Sequence, residues 1–317
     1  MVKRKKYILR YGAVIDVEEY HDGRYGAKGV SRREKKNPTP EQVQQANERN
    51  RARLCRRKLI EYFTPGDCFA TWTYRPENRP PDMKGVLADF QKAMRAVRKE
   101  YRKRGRKLYW IRNIEKGTRG AWHIHLVFNE IGDTASIITK AWKHGGTWVT
   151  EIRTSRYAGE DFEDLANYIT KSEHTVTCRE DGTREKPRIA ESSYSTSRNM
   201  PLPEPEEDKL VYWKKEAKPI KGYYISSLVE GINPVTGYKY RRYTMQRLKG
   251  EENVAGKPLH HHRPERKGKR KGKGGIRPGD KKAGRQDSRK QARGSGISGG
   301  HGKEAGAVRH KGRHKQA

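Results

Sequence analysis

The chain has 317 residues, with 72 Lys and Arg against 38 Asp and Glu, a net charge of +34 and a pI near 10.1. That charge points to a polyanionic partner, nucleic acid ahead of an anionic membrane surface, since neither a long apolar span nor an amphipathic apolar face argues for a membrane. Hydrophobic residues are 32% and charged residues 35%, so part of the chain is expected to lie outside any packed core.

The start, MVKRKK, is basic, but YILRYGAVIDVEEY turns to charge too soon for a secretory core, and a cytoplasmic location is expected. Cys55, Cys68 and Cys178 are odd in number and widely spaced. They offer neither a zinc spacing nor a disulfide framework and read as structural residues.

The segment YILRYGAVIDVEEYHDGRYGAKG alternates like a β-hairpin, with HDG as the turn candidate. TPEQ then opens a helix: Thr39 as N-cap, Pro40 at the first position and Gln42 closing a capping box. This helix runs to about Phe63 and carries Arg51, Arg53, Arg56, Arg57 and Lys58 without a strong apolar face. A phosphate-contacting surface and a solvated charged surface both fit it. Residues 1–65 are taken as an N-terminal hairpin and basic helix.

From residue 66 to 204 the pattern becomes orderly. CFATWTY (68–74) reads as a strand. PDMKGVLADFQKAMRAVRKEYRKRG reads as a helix, with Leu87, Phe90, Met94 and Val97 three and four apart. LYWIRNIE (108–115) and AWHIHLVF (121–128) are strands joined by KGTRG. ASIITKAW (135–142) is a short helix, GTWVTEIR (146–153) a further strand, and EDFEDLANYITKSEH a final helix with acidic residues in its first turn. This order predicts an α+β fold: a ferredoxin-like (RRM-like) split βαβ core, a central antiparallel sheet with helices on one face, and one added helix.

Residues 205–255 read as a β-rich extension, with NPVTG as a hairpin turn and several tyrosines between Lys and Arg. Base stacking by some of these and simple packing on the core are both open readings. Residues 256–317 hold 20 Lys and Arg, 4 Asp and Glu, 14 glycines and no Phe, Trp or Tyr. A disordered tail that grips phosphates without reading sequence is expected. His260–His262 are given no function.

Chemistry concentrates in EKGTRGAWHIHLVF. On a strand Trp122, Ile124, Leu126 and Phe128 point into a core, while His123 and His125 point together to the other face. In an antiparallel register Glu115 falls opposite or diagonal to His123, on that same face. Two imidazoles and a carboxylate leave positions open for water or phosphate, which suits a catalytic divalent ion. Mg2+ or Mn2+ fits a phosphate substrate, with Zn2+ also open. Downstream, Tyr168 and Lys171 are three apart on the predicted helix and share a face, while Leu165 and Ile169 pack it on the sheet. A tyrosine beside a lysine and a metal-polarised phosphate can act as a nucleophile.

Together these residues resemble the HUH endonuclease superfamily, specifically rolling-circle replication initiators (Rep proteins). Glu115, Gly117, Gly120, His123 and His125 are similar to the family's second motif with its upstream acidic ligand. Tyr168 and Lys171 resemble the third motif, Y-x-x-K, and FATWTYRP (69–76) the first. The entry segment YHDGRYGAKG and STSRNMPLP, with Arg198, are similar to the bacterial phage, plasmid and integrative-element branch, close to filamentous-phage replication proteins.

The resemblance implies a five-stranded antiparallel sheet and one Mg2+ or Mn2+ held by Glu115, His123 and His125. Tyr168 would attack single-stranded DNA at a replication origin, keep the 5′-phosphate as a phosphotyrosine and free a 3′-OH, then rejoin strands. Lys171 would assist, and Arg198, Arg56 and Arg57 would contact DNA. One tyrosine lies in the motif helix; Tyr157 and Tyr194 are the other candidates, without matching context. No Walker A sequence is present, so a host helicase and polymerase are the expected partners in a bacterial cytoplasm. A relaxase or single-tyrosine transposase of the same superfamily would share the chemistry, although relaxases usually carry three histidines. A non-enzymatic RRM-like binding protein would place aromatics where His123 and His125 stand.

Overall fold

The computed structural model describes residues 2–21, 37–153, 162–175, 188–233 and 235–248. The expected tail, His260–His262, Tyr157, Cys178 and the entry segment past His21 lie outside the described residues. In chain order the elements are β1 (Val2–Leu9), β2 (Val14–His21), α1 (Pro40–Tyr62), β3 (Cys68–Thr73), α2 (Met83–Lys103), β4 (Trp110–Gly117) and β5 (Trp122–Phe128). There follow α3 (Thr134–Ala141), β6 (Thr147–Glu151), α4 (Glu163–Ile169), β7 (Ile189–Thr196), β8 (Glu206–Leu210), β9 (Tyr223–Ile232) and β10 (Lys239–Arg247). The fold is α+β: among the described residues, two antiparallel sheets and four helices.

One sheet has the order β6-β3-β5-β4-β7, every neighbouring pair antiparallel. β5 lies between β3 and β4 and so splits the strand–helix–strand unit that α2 closes. The alternation of β5 decides which residues are covered. Trp122, Ile124, Leu126 and Phe128 face Trp72 and Ala70 of β3 and the buried stripe Val86, Phe90, Met94 and Val97 of α2, with Ile137 and Ile138 of α3. Burying each such aliphatic or aromatic side chain stabilises by about 1.5–3 kcal/mol.

The expectation of helices on a single face is corrected here. Val127 and Ile111, on the opposite face, pack under Cys55, Leu59 and Phe63 of α1 and Ala166 and Ile169 of α4. The sheet therefore carries α2 and α3 on one side, α1 and α4 on the other. Inward apolar positions on both sides of β4 and β5 require this double cover.

The N-terminal hairpin joins the late strands in a second sheet, β8-β1-β2-β10-β9. Its turn is at Arg10–Gly12; of the turn candidate HDG, His21 is the last residue of β2 and the other two residues lie outside the described residues. Arg10, Tyr11 and Gly12 have φ of 46°, 52° and 82°, a left-handed run that a side chain resists. The carboxyl end of α1 holds it in place. The Arg10 amide donates to Glu61 (2.6 Å), its Nε to the Ile60 carbonyl (2.9 Å), and its guanidinium also to the Phe63 carbonyl.

Helix α1 begins with the capping box as read: Gln42 N–H donates to Thr39 Oγ1 and the Thr39 N–H to Gln42 Oε1. It lies between the sheets. Cys55, Leu59 and Phe63 serve the first, Ile60 meets Leu9 and Val14 of the second. Arg56 and Arg57 also face the second sheet. Both are buried, and Arg57 donates to Asp16 (2.6 Å) and Glu18 (2.5 Å) of β2 while Arg56 donates to Thr244 of β10 (3.0 Å). Both guanidinium groups, expected as DNA contacts, are turned inside the fold toward β2 and β10.

Candidate active site

Antiparallel pairing sets the site. Glu115 of β4 is directly opposite His123 of β5, and Asn113 is opposite His125. On the other flank Thr71 and Thr73 of β3 pair with His125 and His123. All six residues share the face away from α2. The tight link between β4 and β5 allows this register: Gly117 N–H donates to Ala121 O (2.9 Å), and Gly120 takes φ of 78°.

His125 is buried and fixed from two sides. Its Nδ1 is 3.1 Å from Thr71 Oγ1, and its Nε2 is 3.5 Å from Glu115 Oε2. When Nδ1–H donates to the threonine, Nε2 is the lone-pair nitrogen turned toward the carboxylate. Asn113, wholly buried, fixes the other carboxylate oxygen: its amide donates to Glu115 Oε1 (2.9 Å) and to the Lys171 carbonyl (2.7 Å). Asn113 is the site residue that sequence reasoning missed. The signal was present, since a polar residue two before Glu115 on the same strand must point the same way as Glu115.

His123 is exposed, its ring 6.2 Å from that of His125 and nearly perpendicular to it. Desolvation first, then the His125 and Arg79 charges, hold its imidazole below the ordinary value, with Glu115 opposing. As placed, no three His, Cys, Asp or Glu side chains among the described residues close around one ion. The donor set nevertheless suits a divalent ion: a carboxylate oxygen and an imidazole nitrogen already face each other, each oriented by an uncharged neighbour, and His123 is exposed on the same face.

Tyr168 sits on α4, which is shorter than expected. Thr170 ends it, its Oγ1 donating back to the Ala166 carbonyl (2.7 Å), so Lys171 lies just past the helix rather than on it. The lysine still meets the tyrosine: its Nζ is 4.7 Å from the centre of the Tyr168 ring. The ring also stands edge-on to His125, 5.3 Å between centres, and to Phe69, 5.9 Å. Tyr168 is 40% exposed. Partial burial, then the Glu115 charge, hold its phenol above the ordinary value. Leu165 and Ile169 seat the helix on the sheet as read.

Tyr194 is placed differently. It packs among α1, α4 and the sheet, and burial, then Cys55, push its phenol far up. Arg198 is exposed in the turn after β7. Beside Lys171 a cleft of about 530 Å3 opens between the first turns of α1 and Ser172–His174, lined by Gln44, Asn47 and Arg51 among others.

Residues 67–173 match a family model described as replication-associated protein ORF2. The matched stretch runs from the start of β3 to just past Lys171, and thus contains every residue of the site. It supports a replication initiator of the Rep type and a role in DNA replication. No curated protein matches the chain, and no solved structure does. No helix among the described residues is long and apolar enough to cross a membrane.

Proposed function

We propose that this chain nicks and rejoins single-stranded DNA at a replication origin, with Tyr168 as nucleophile, as an HUH-type enzyme built on a ferredoxin-like sheet. The observation that carries the reading is the position of Tyr168. Its ring stands edge-on to His125 and close to the Lys171 ammonium, on the sheet face that carries Glu115, His123 and His125. The strand order β6-β3-β5-β4 and the replication-associated family match support it.

The phenolic oxygen attacks the scissile phosphorus, an Oη–P bond forms, and the bond to the 3′-oxygen breaks. The proton lost by the phenol balances the one gained by the leaving 3′-OH. The number of phosphodiester bonds is unchanged, so attack by a 3′-OH reverses the step and rejoins the strand. Glu115, His123 and His125 would hold Mg2+ or Mn2+, which when bound would supply Lewis-acid polarisation of the phosphate. Asn113 and Thr71 keep Glu115 and His125 in place, which spares the site a reorganisation during the reaction. Lys171 supplies positive charge beside the phenol and phosphate. In a bacterial cytoplasm the 3′-OH would serve a host polymerase, with a host helicase opening the duplex.

The test is a denaturing gel on single-stranded origin-region oligonucleotides with Mn2+, comparing wild type, Tyr168→Phe and His123→Ala. The expected result is a protein-linked fragment attached through its 5′ end, absent in Tyr168→Phe and after chelation. Unimpaired cleavage by Tyr168→Phe would show the nucleophile to be another residue. Binding without cleavage across several candidate origins would favour a plain binding module.

A further inference from the structure

β6 is an edge strand, and its cross-strand pairs place Trp148 opposite Thr71, which in turn lies opposite His125. Trp148 therefore belongs to the catalytic face, in the same row as His125 and two strand spacings away, roughly 10 Å. It is 61% exposed. The chain has six tryptophans; Trp72, Trp110, Trp122 and Trp142 are buried and Trp213 is half-buried. An indole left in water on the face that carries the chemistry asks for an occupant.

The neighbours decide which kind. Same-face positions around Trp148 are Thr71, Thr73, Thr150 and Phe69; the phenylalanine packs under Tyr168, so the threonines are left and no contiguous apolar patch of a protein-docking surface forms. The chain leading into and out of β6 carries Lys143 and Arg153, both exposed. A lone flat aromatic among hydroxyls and cations matches a base-stacking platform on single-stranded nucleic acid. α4 covers Phe69 and His125 on this face, which leaves Trp148 and His123 as its exposed rings.

We propose that Trp148 stacks on a base of the single-stranded substrate close to the scissile phosphate and fixes where the strand enters the site. The inference rests on the nicking reading for its substrate but not for its test. The full chain carrying Tyr168→Phe, unable to be consumed by cleavage, is titrated with oligothymidylate. Binding is read by anisotropy of a dye on the DNA and by tryptophan emission of the protein. Salt is raised to weaken contacts from Lys and Arg outside the site.

Emission should fall on binding. Trp148→Ala should lose most of that fall and bind about tenfold more weakly, at unchanged melting temperature, while Trp148→Phe stays within about twofold. Equal affinity and equal quenching in Trp148→Ala would overturn the assignment and leave the nicking reading untouched. A chain that binds no single-stranded DNA would overturn both.

Discussion

The burial of Arg57 makes a prediction that separates structure from charge counting. Its side chain is 2% exposed and donates to Asp16 at 2.6 Å and Glu18 at 2.5 Å, themselves 8% and 13% exposed. The guanidinium also lies 3.5 Å over the Tyr7 ring. Arg57→Met preserves much of the volume but leaves two partly or fully buried carboxylates with the more distant or weaker partners Arg53, Arg56 and Arg242. Removing one partner of a buried ion pair costs about 3–5 kcal/mol. At roughly 2–4 °C per kcal/mol for a domain of this size, the melting midpoint should fall by about 6–20 °C. Adding Asp16→Asn and Glu18→Gln should restore part of it, since the stranded carboxylates are gone while Arg53 and Arg56 lose these partners. Thermal unfolding of the three proteins, with oligonucleotide affinity across a salt series, is the assay. A loss below about 1 kcal/mol, together with weaker DNA binding and a shallower salt dependence, would refute the argument and return Arg57 to the DNA surface.

Two further outcomes are expected. Asn113→Ala removes both donors of one amide, leaving the Lys171 carbonyl and Glu115 Oε1 unsatisfied; the cost should be about 2–4 kcal/mol in urea unfolding. Amide exchange should also quicken selectively in 163–171, and uniform quickening along the chain would contradict a local tie. The Glu18 carboxyl is raised by burial, yet Arg57, Arg53 and Arg242 outweigh that and its net shift is downward. A group lowered in the folded state stabilises fully above its unfolded value, near the ordinary carboxylate range, and loses that contribution as pH falls through the folded value. Wild-type stability should thus decline on acidification below about pH 4.5, less steeply in Glu18→Gln, and parallel acid curves for the two proteins would count against the pairing.

Local signals in the sequence were sufficient where structure is local. The Thr39–Gln42 capping box, the three-and-four spacing of Phe90, Met94 and Val97, and the alternation of β5 each depend on neighbours a few residues apart. The opposition of Glu115 and His123 followed from a short link and a two-residue repeat. What was not legible depends on distant pairing. The union of β1 and β2 with β8, β9 and β10 joins residues some two hundred positions apart, and the turn at Arg10–Gly12 is set by α1 rather than by its own residues. Arg56 and Arg57 read as surface cations because their carboxylates lie in another segment. Lys171 read as helical because the stop at Thr170 is a side-chain bond to the backbone, not a glycine or proline.

Helix α1 between the two sheets bears on how small a working piece of this protein can be. The stretch 67–173 carries every residue of the site but contains neither α1 nor β7. Excised at those limits, it would present Ile111, Val127 and Ile169 to water and leave β4 with a bare edge, a template for aggregation. Starting at Pro40 and ending at Thr196 would mend that side. It would then expose Arg57 and Ile60, whose partners come from β1, β2 and the loops joined to them. The chemistry is thus encoded in about a third of the chain, while the ability to fold around it is spread from β1 to β10.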